Sequence, residues 1–178
     1  MLRISIFLFL VYGTLFGYSY SDLLIKAQNA IFPKILLLDK QLEQKLVNGE
    51  ICYTIVCEAS DYHTAQSLKE QMETKYRHRL GSYPLRVEVL LFSDLTQEKR
   101  TTAIYTLNSE EGIKKVAKLA KSQGILTFAY DIANLKQDIL ISLIVEKSTI
   151  LYLNKRTLPE YKVDFVDSLY QIVRFMDN

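Results

Sequence analysis

The chain has 178 residues, 49% of them hydrophobic, and its 22 lysine and arginine side chains nearly balance 20 aspartates and glutamates. The net charge of +2 argues against a nucleic-acid-binding protein and against strong adsorption to a membrane, because both need a basic surface. Only six glycines and three prolines are present, so we expect one domain with an ordinary hydrophobic core and no long linker.

The start of the chain has the pattern of a secretory signal peptide. A basic residue lies close to the first methionine, residues 4–16 are almost wholly apolar, and Gly17 and Ser19 are small residues at the spacing of a cleavage site. The apolar run is shorter than the about 20 residues of a membrane span. We therefore expect residues 1–19 to be removed on export to the periplasm and residues 20–178 to form one domain.

The first predicted helix begins at Ser21, whose hydroxyl can cap its N-terminus. Pro33 is expected to break or kink this helix, because proline lacks a backbone N–H. The apolar positions at helical spacing before and after the proline are Leu24, Ala27, Ile31, Ile35, Leu38, Leu42 and Leu46. This spacing predicts a pair of helices that packs against a core.

From residue 50 onward, segments of strand character alternate with amphipathic helical segments, which is the pattern of parallel βαβ units. The predicted strands are residues 51–58, 85–92, 102–107 and 125–130. One helix is predicted over residues 61–80 and is closed by Gly81. Its apolar face consists of Tyr62, Ala65, Leu68, Met72, Tyr76 and Leu80.

Two capping boxes predict further helix starts. Asp94 with Gln97 predicts a short helical turn, and Asn108 with Glu111 predicts the start of a helix that Gly124 ends. The apolar residues of this last helix are Ile113, Val116, Ala117 and Ala120.

The pattern changes to alternation in the last third of the chain. Residues 139–153 contain alternating apolar residues around a polar turn, which predicts an antiparallel hairpin at a sheet edge. A closing helix follows, with a buried stripe that consists of Val166, Leu169, Ile172 and Val173. The whole pattern predicts a three-layer α/β sandwich, with a mostly parallel sheet, helices on both faces and a C-terminal antiparallel hairpin. The strand order stays open.

Cys52 and Cys57 lie in one predicted strand and would face an oxidising compartment after export. Five residues of strand separate them by about 16 Å, whereas a disulfide needs Cα atoms within about 7 Å. We therefore expect two small buried side chains that do not pair with each other. An intermolecular bridge or a redox-sensitive thiol is the alternative.

The residues that catalysis or metal binding would need do not occur in a recognisable pattern. His63 and His78 are the only histidines, and neither lies at metal-ligand spacing from the other or from a cysteine. The sequence has no nucleophile elbow and no glycine-rich phosphate loop after a strand. We expect a protein that is not an enzyme and that holds no metal or cofactor.

Asp61, Asp94 and Asp131 each follow the carboxyl end of a predicted strand, which is where ligands bind in open parallel sheets. These carboxylates could line a pocket for a small solute or a cation. The alternative is helix capping, since aspartate is also favoured at helix N-termini.

Two further sets of residues could form an interaction surface. Lys114, Lys118 and Lys121 share one helix face, which would suit an acidic protein or lipid headgroups, or would simply be solvated. Tyrosine is frequent at protein interfaces, and the chain has twelve. Tyr152 in the predicted hairpin and Asn154 just after it are further interface candidates.

The last third of the chain is similar to the end of the YfiR-type periplasmic regulator family, and the likeness extends over about residues 22–176. The residues that carry it are Gly124-Ile-Leu-Thr127, Asp138-Ile-Leu-Ile-Ser-Leu143, Leu153-Asn154 with Leu158, Val163-Asp-Phe165 and Leu169-Tyr-Gln-Ile172.

The resemblance implies a small exported α/β domain with a signalling role. The characterised YfiR type restrains a membrane-anchored diguanylate cyclase by binding its periplasmic part, and similar domains are fused to histidine kinases. The resemblance therefore predicts a non-catalytic periplasmic regulator that lowers cyclic-di-GMP and biofilm formation, with such a cyclase or kinase as its partner. Apart from the resemblance, a homodimer is a further possible assembly. A small-solute-binding periplasmic domain is the alternative from a different class.

Overall fold

The structure, a computed structural model, describes residues 19–177. The predicted signal peptide, apart from Ser19, lies outside the described residues. Within the part of the chain that is described, no helix is both long enough and apolar enough to cross a membrane.

Four α-helices and eight strands are present in residues 19–177. The helices are α1 (Asp22–Leu36), α2 (Tyr62–Tyr76), α3 (Gly112–Gln123) and α4 (Asp167–Ile172). The strands are β1 (Ile51–Cys57), β2 (Arg79–Leu80), β3 (Tyr83–Leu91), β4 (Ala103–Thr106), β5 (Leu126–Ala129), β6 (Ile141–Val145), β7 (Thr149–Asn154) and β8 (Val173–Met176).

All eight strands form one sheet in the order β2-β3-β1-β4-β5-β6-β7-β8. The five strands from β3 to β6 in this order are parallel, β7 is antiparallel to β6, and β8 is parallel to β7. The predicted α/β class, the mostly parallel sheet and the C-terminal hairpin are therefore confirmed. The hairpin does not form the sheet edge, because β8 adds outside it.

Helices cover both faces of the sheet. α2 carries the chain from β1 to β3 in one direction, and α3 carries it from β4 to β5 in the other, so right-handed crossovers put them on opposite faces. α1 lies beside α2, and its Phe32 stacks on Phe128 of β5 with ring centroids 4.7 Å apart. Tyr53 of β1 also stacks on Phe128, with ring centroids 6.1 Å apart.

β1 is an interior strand of the sheet, and parallel strands pair with it on both sides. All of its seven residues are buried, as its nearly continuous apolar sequence predicts. Cys52 and Cys57 are both free and buried in this strand, so the prediction that they do not pair with each other is confirmed.

α1 continues through Pro33, and the predicted second helix is wrong. Leu42–Lys45 forms only a short 3₁₀ helix. The chain leaves the helical path because Asp39 forms an isolated bridge with Phe165 and its carboxylate accepts hydrogen bonds from the backbone N–H groups of Gln41 and Asp164.

The other corrections concern helix ends. α2 stops at Tyr76 instead of residue 80, because Arg77 and His78 have positive φ angles of 49° and 57° and turn the chain into the β2–β3 hairpin. Tyr62, on the predicted apolar face, is 45% exposed. No α-helix follows Asp94, which ends a three-residue 3₁₀ helix.

The capping box at Asn108 and Glu111 does not form. Instead, the Ser109 hydroxyl accepts a hydrogen bond from the backbone N–H of Gly112, at 2.9 Å, where α3 begins. Gly112 packs so closely on Phe92 that an added Cβ would lie 2.3 Å from its ring. Gly124 ends α3 with a φ of 71°, as predicted.

The closing helix α4 has only six residues. Leu169 is fully buried, but Ile172 is 67% exposed and Val173 already belongs to β8. The predicted stripe is wrong beyond Leu169, because the chain changes from helix to strand to pair with β7.

Pro33 leaves the carbonyl of Asn29 without its helical N–H donor, four residues ahead. The Tyr76 hydroxyl supplies the missing hydrogen bond and donates to the carbonyls of Asn29, at 3.1 Å, and Ala30, at 3.0 Å. Burial raises the pKa of Tyr76 to about 12, so the hydroxyl remains a donor at physiological pH.

We predict that Tyr76→Phe lowers the free energy of unfolding by about 1–2 kcal/mol, because it leaves a carbonyl unpaired. In a Pro33→Ala background, Tyr76→Phe should lower the free energy of unfolding by less, because alanine restores the backbone N–H that the Asn29 carbonyl lacks. Chemical denaturation of the four proteins in this double-mutant cycle measures the coupling. If Tyr76→Phe lowers the free energy of unfolding equally in both backgrounds, the Tyr76 hydroxyl does not replace the N–H that Pro33 lacks.

Candidate functional site

The order of the parallel strands creates a crevice between β1 and β4. Connections leave β1 toward β3 and leave β4 toward β5, so the two halves of the sheet diverge at this boundary. Ligands of open α/β sheets bind at such a point, outside the carboxyl ends of the strands. The side chains that follow the ends of β1, β4 and the neighbouring β5 in the chain are Glu58, Asp61, Asn108, Ser109 and Tyr130. We call this the switch-point crevice.

Polar side chains in the switch-point crevice are already paired with one another. The Ser109 hydroxyl donates to Glu58 at 2.5 Å, and the Asn134 amide donates to Asn108 at 3.4 Å. A serine that donates to a glutamate and caps a helix is held in a fixed rotamer. The arrangement positions these groups, and it provides no base next to a free nucleophile.

Tyr20 fills the centre of the crevice. Its hydroxyl donates to the carboxyl group of Asp61 at 2.6 Å and accepts from the backbone N–H of Asn108 at 3.3 Å. Its ring meets the ring of Tyr130 edge-on, with centroids 4.7 Å apart. Burial and the hydrogen bond to Asp61 raise the pKa of Tyr20, so its hydroxyl stays protonated.

α1 is pinned beside the crevice by a buried glutamine. The Gln28 amide donates to the carbonyl of Tyr130 at 2.9 Å and accepts from the Tyr105 hydroxyl at 2.5 Å. The backbone N–H of Ser21 donates to the Tyr130 hydroxyl at 2.8 Å. Because these bonds join α1 to the ends of β4 and β5, they also fix the position of Tyr20.

The structure gives the three predicted aspartates separate partners. Asp61 is 3% exposed and bound by Tyr20, whereas Asp131 caps a 3₁₀ helix through the backbone N–H of Ala133, at 2.8 Å. Asp94 is exposed and accepts from Ser93. The capping alternative therefore holds for Asp131. Over residues 19–177, no group of three or more histidine, cysteine or acidic side chains could hold a metal ion.

An open pocket remains beside the crevice, at the carboxyl ends of β1 and β3. It has a volume of about 500 Å³. Asp94 and Tyr62 both line it. The apolar lining consists of Ala59, Val89, Leu90 and Leu91.

The predicted basic face is divided into two parts. Lys114 and Lys118 are exposed, but Lys121 forms ion pairs with Asp138 at 2.9 Å and Glu160 at 2.8 Å. Lys121 therefore ties α3 to two neighbouring loops, and two exposed lysines are left for any acidic partner.

The two interface candidates of the hairpin differ. Tyr152 is half-buried on β7, but Asn154 is only 1% exposed. The Asn154 amide donates to the carbonyl of Leu135 at 2.6 Å and accepts from the backbone N–H of Thr157 at 3.3 Å. The prediction for Asn154 as an interface residue is wrong, because its side chain is enclosed and satisfied internally.

Sequence reasoning missed an exposed apolar edge on β8. Among the described strands, β8 is the last of the sheet and pairs on one side only, with β7. Ile172 is 67% exposed and Phe175 is 44% exposed, and Tyr170 stacks on Phe175 with centroids 6.3 Å apart. We call Tyr170, Ile172 and Phe175 on this strand and the end of α4 the β8 edge.

No protein-family model matches the sequence, and no curated protein matches it. The structure is similar to that of a conserved domain protein from Vibrio cholerae O1 biovar El Tor, with a TM-score of 0.54 and 12% identity over 77% of this chain and 58% of that chain. It is also similar to an ABC domain in complex with L-Trp from Streptococcus pneumoniae, with a TM-score of 0.53 and 13% identity over 79% of this chain and 60% of that chain.

The chain spans less than two thirds of the length of both structures. At these identities the likeness shows the fold alone. The class that the fold and the crevice define is an open α/β sheet with a closed switch point.

We predict that neither cysteine reacts with a thiol reagent in the folded protein. Burial, with the nearby charges of Asp61 and Glu58, raises the pKa of Cys57 to about 12, and burial with the charge of Glu88 raises the pKa of Cys52. Very little thiolate therefore forms at pH 8. Labelling with Ellman's reagent should be at least roughly 100-fold slower in buffer than in guanidinium chloride, because it needs transient opening.

The control for the labelling experiment is the unfolded protein, in which both thiols should react at the same rate. Rapid labelling of one native thiol, or a disulfide-linked dimer on a non-reducing gel, would instead support the redox alternative.

Proposed function

We propose that this protein is a non-catalytic signalling regulator of the bacterial periplasm. In this proposal it binds the periplasmic part of a membrane-anchored sensor, a diguanylate cyclase or a histidine kinase, and changes the output of that sensor. The resemblance to YfiR-type regulators supports the class of partner, and the β8 edge supports binding to a protein.

The β8 edge is the observation that carries the proposal. A strand at the end of a sheet has unpaired backbone groups, which can pair with an extended segment of another chain. Large apolar side chains that cluster on such an edge favour a protein partner over solvent. Ile172 and Phe175 provide this apolar surface on a strand that, among residues 19–177, pairs only with β7.

The crevice supports a role in binding rather than catalysis. Its carboxyl groups, Glu58 and Asp61, already accept hydrogen bonds from Ser109 and Tyr20. A periplasmic protein that works in this way can influence the cytoplasm only through a membrane partner. On the model of the resembling family, binding lowers the synthesis of cyclic-di-GMP until a cue releases the regulator.

A small-solute-binding domain is the second candidate, and the open pocket with Tyr62 and Asp94 favours it. The ABC domain of similar fold was solved in complex with L-Trp, and a pocket lined by both an aromatic side chain and a carboxylate suits an amino acid of this kind.

We predict that Ile172→Glu abolishes capture of the sensor. Tagged protein is incubated with detergent-solubilised membranes of the source organism, and the retained proteins are identified. A charge in place of an apolar anchor should weaken binding at least roughly tenfold, whereas the fold should be kept because the position is 67% exposed. Leu23→Glu on α1 is the matched control, since Leu23 is 64% exposed.

Wild type and Leu23→Glu should retain a membrane-anchored cyclase or kinase, and Ile172→Glu should not. If wild type retains no membrane signalling protein and L-Trp raises its melting temperature, the solute-binding candidate replaces the regulator. If the wild type only self-associates, and Ile172→Glu is monomeric by light scattering, the β8 edge joins two copies of this chain and the proposed partner is wrong.

A further inference from the structure

The residue that closes the switch-point crevice is bound there like a ligand. Tyr20 belongs to no helix or strand, and only Ser21 separates it from the start of α1. Its side chain nevertheless contacts groups that come from the ends of β1, β4 and β5. These contacts are an acceptor on Asp61 at 2.6 Å, a backbone donor on Asn108 at 3.3 Å and an aromatic ring on Tyr130 at 4.7 Å.

We propose that the switch-point crevice is a binding site for a phenol group, and that Tyr20 is its tethered occupant. A free phenolic molecule or a tyrosine side chain of another protein has the same chemistry and can take its place. This site lies at the carboxyl ends of the parallel strands, and the proposal does not depend on the β8 edge.

Asp61 explains why the site selects a hydroxylated ring. Its side chain is 3% exposed, and within residues 19–177 the Tyr20 hydroxyl is the side-chain hydrogen-bond donor that it has. A buried carboxyl group that loses its donor is strongly destabilised. An aromatic ring without a hydroxyl fills the same space next to Tyr130 but leaves Asp61 unpaired, so it should bind more weakly.

The backbone N–H of Asn108 adds a second requirement, because the group that donates to Asp61 must also accept a hydrogen bond. A phenol hydroxyl donates one hydrogen bond and accepts others. In the crevice it donates to Asp61 and accepts from Asn108, so both polar neighbours are satisfied by one group. An aliphatic alcohol could make the same two hydrogen bonds but would lack the edge-on contact with Tyr130.

The tether makes the site hard to reach in the wild-type protein. A ligand on a short flexible linker has an effective concentration in the millimolar range. An external phenol must exceed this concentration to displace Tyr20. Removing the Tyr20 ring removes the competitor and should expose the intrinsic affinity of the crevice.

The experiment measures the melting temperature of the Tyr20→Ala variant with and without p-cresol, which is the side chain of tyrosine as a free molecule. We expect p-cresol to raise it by roughly 3–6 °C for each tenfold excess over the dissociation constant. Toluene has the same ring and methyl group without the hydroxyl and should raise it much less. Tyr83→Ala is the matched control, because the Tyr83 hydroxyl also donates to a carboxylate, that of Glu43 at 3.0 Å, but does so outside the crevice.

The proposal fails if p-cresol does not raise the melting temperature of Tyr20→Ala, if it raises that of Tyr83→Ala equally, or if toluene acts as well as p-cresol. If Tyr20→Ala does not fold alone, p-cresol should restore its cooperative unfolding. Tyr20→Phe provides a second route, since it keeps the ring and loses both hydroxyl contacts. p-Cresol should displace this weaker occupant and stabilise Tyr20→Phe more than wild type, and equal responses would contradict the proposal.

One further ligand distinguishes the sources of the phenol once p-cresol binds to Tyr20→Ala. N-acetyl-tyrosinamide carries the peptide groups of a tyrosine within a protein. Tighter binding of this compound than of p-cresol assigns the site to a tyrosine of a partner protein. Tighter binding of p-cresol assigns it to a small phenolic molecule. Both results support a phenol site.

Discussion

The pairing of β1 with parallel strands on both sides is the constraint on which the other features depend. A strand with all seven residues buried needs cover on both faces, and parallel neighbours need crossover connections that supply this cover. The connections leave in opposite directions from β1 and β4. The same topology that buries β1 therefore also opens a crevice at its carboxyl end.

Long-range polar contacts close this crevice. Tyr20 bonds to Asp61 and Asn108, 41 and 88 positions away, and Ser21 bonds to Tyr130, 109 positions away. Gln28 of α1 also forms hydrogen bonds with Tyr105 and Tyr130, at the same strand ends. Because each of these groups is wholly or partly removed from water, the loss of one partner leaves another unsatisfied, so the closed crevice is cooperative.

Local patterns predicted the elements whose causes are local. The apolar run of β1, the glycine that ends α3 and the polar turn of the β6–β7 hairpin are all visible in a few neighbouring residues. The end of α2 was misplaced because two non-glycine residues, Arg77 and His78, take positive φ angles that the hairpin imposes. β8 was missed because its four residues form a strand only where β7 offers an edge.

In the candidate site, too, features with local causes were predictable and features that depend on long-range contacts were not. The strand-end position of Asp61 was predictable from sequence, since it follows an evident strand. Its partner was not, because Tyr20 lies before the first helix and reaches the crevice only when α1 has docked on the sheet. The two surfaces proposed for binding are separate, since the β8 edge is exposed and the crevice is occupied by the chain's own Tyr20.

The exchange rate of the Asn108 amide hydrogen tests most directly whether Tyr20 closes the crevice in solution. This amide donates to the Tyr20 hydroxyl, whereas the neighbouring Leu107 amide donates to the carbonyl of Val56 at 2.9 Å. By hydrogen–deuterium exchange, Asn108 should be protected in the wild type and exchange faster in Tyr20→Phe, with Leu107 unchanged. Equal protection of Asn108 in both proteins would contradict the account.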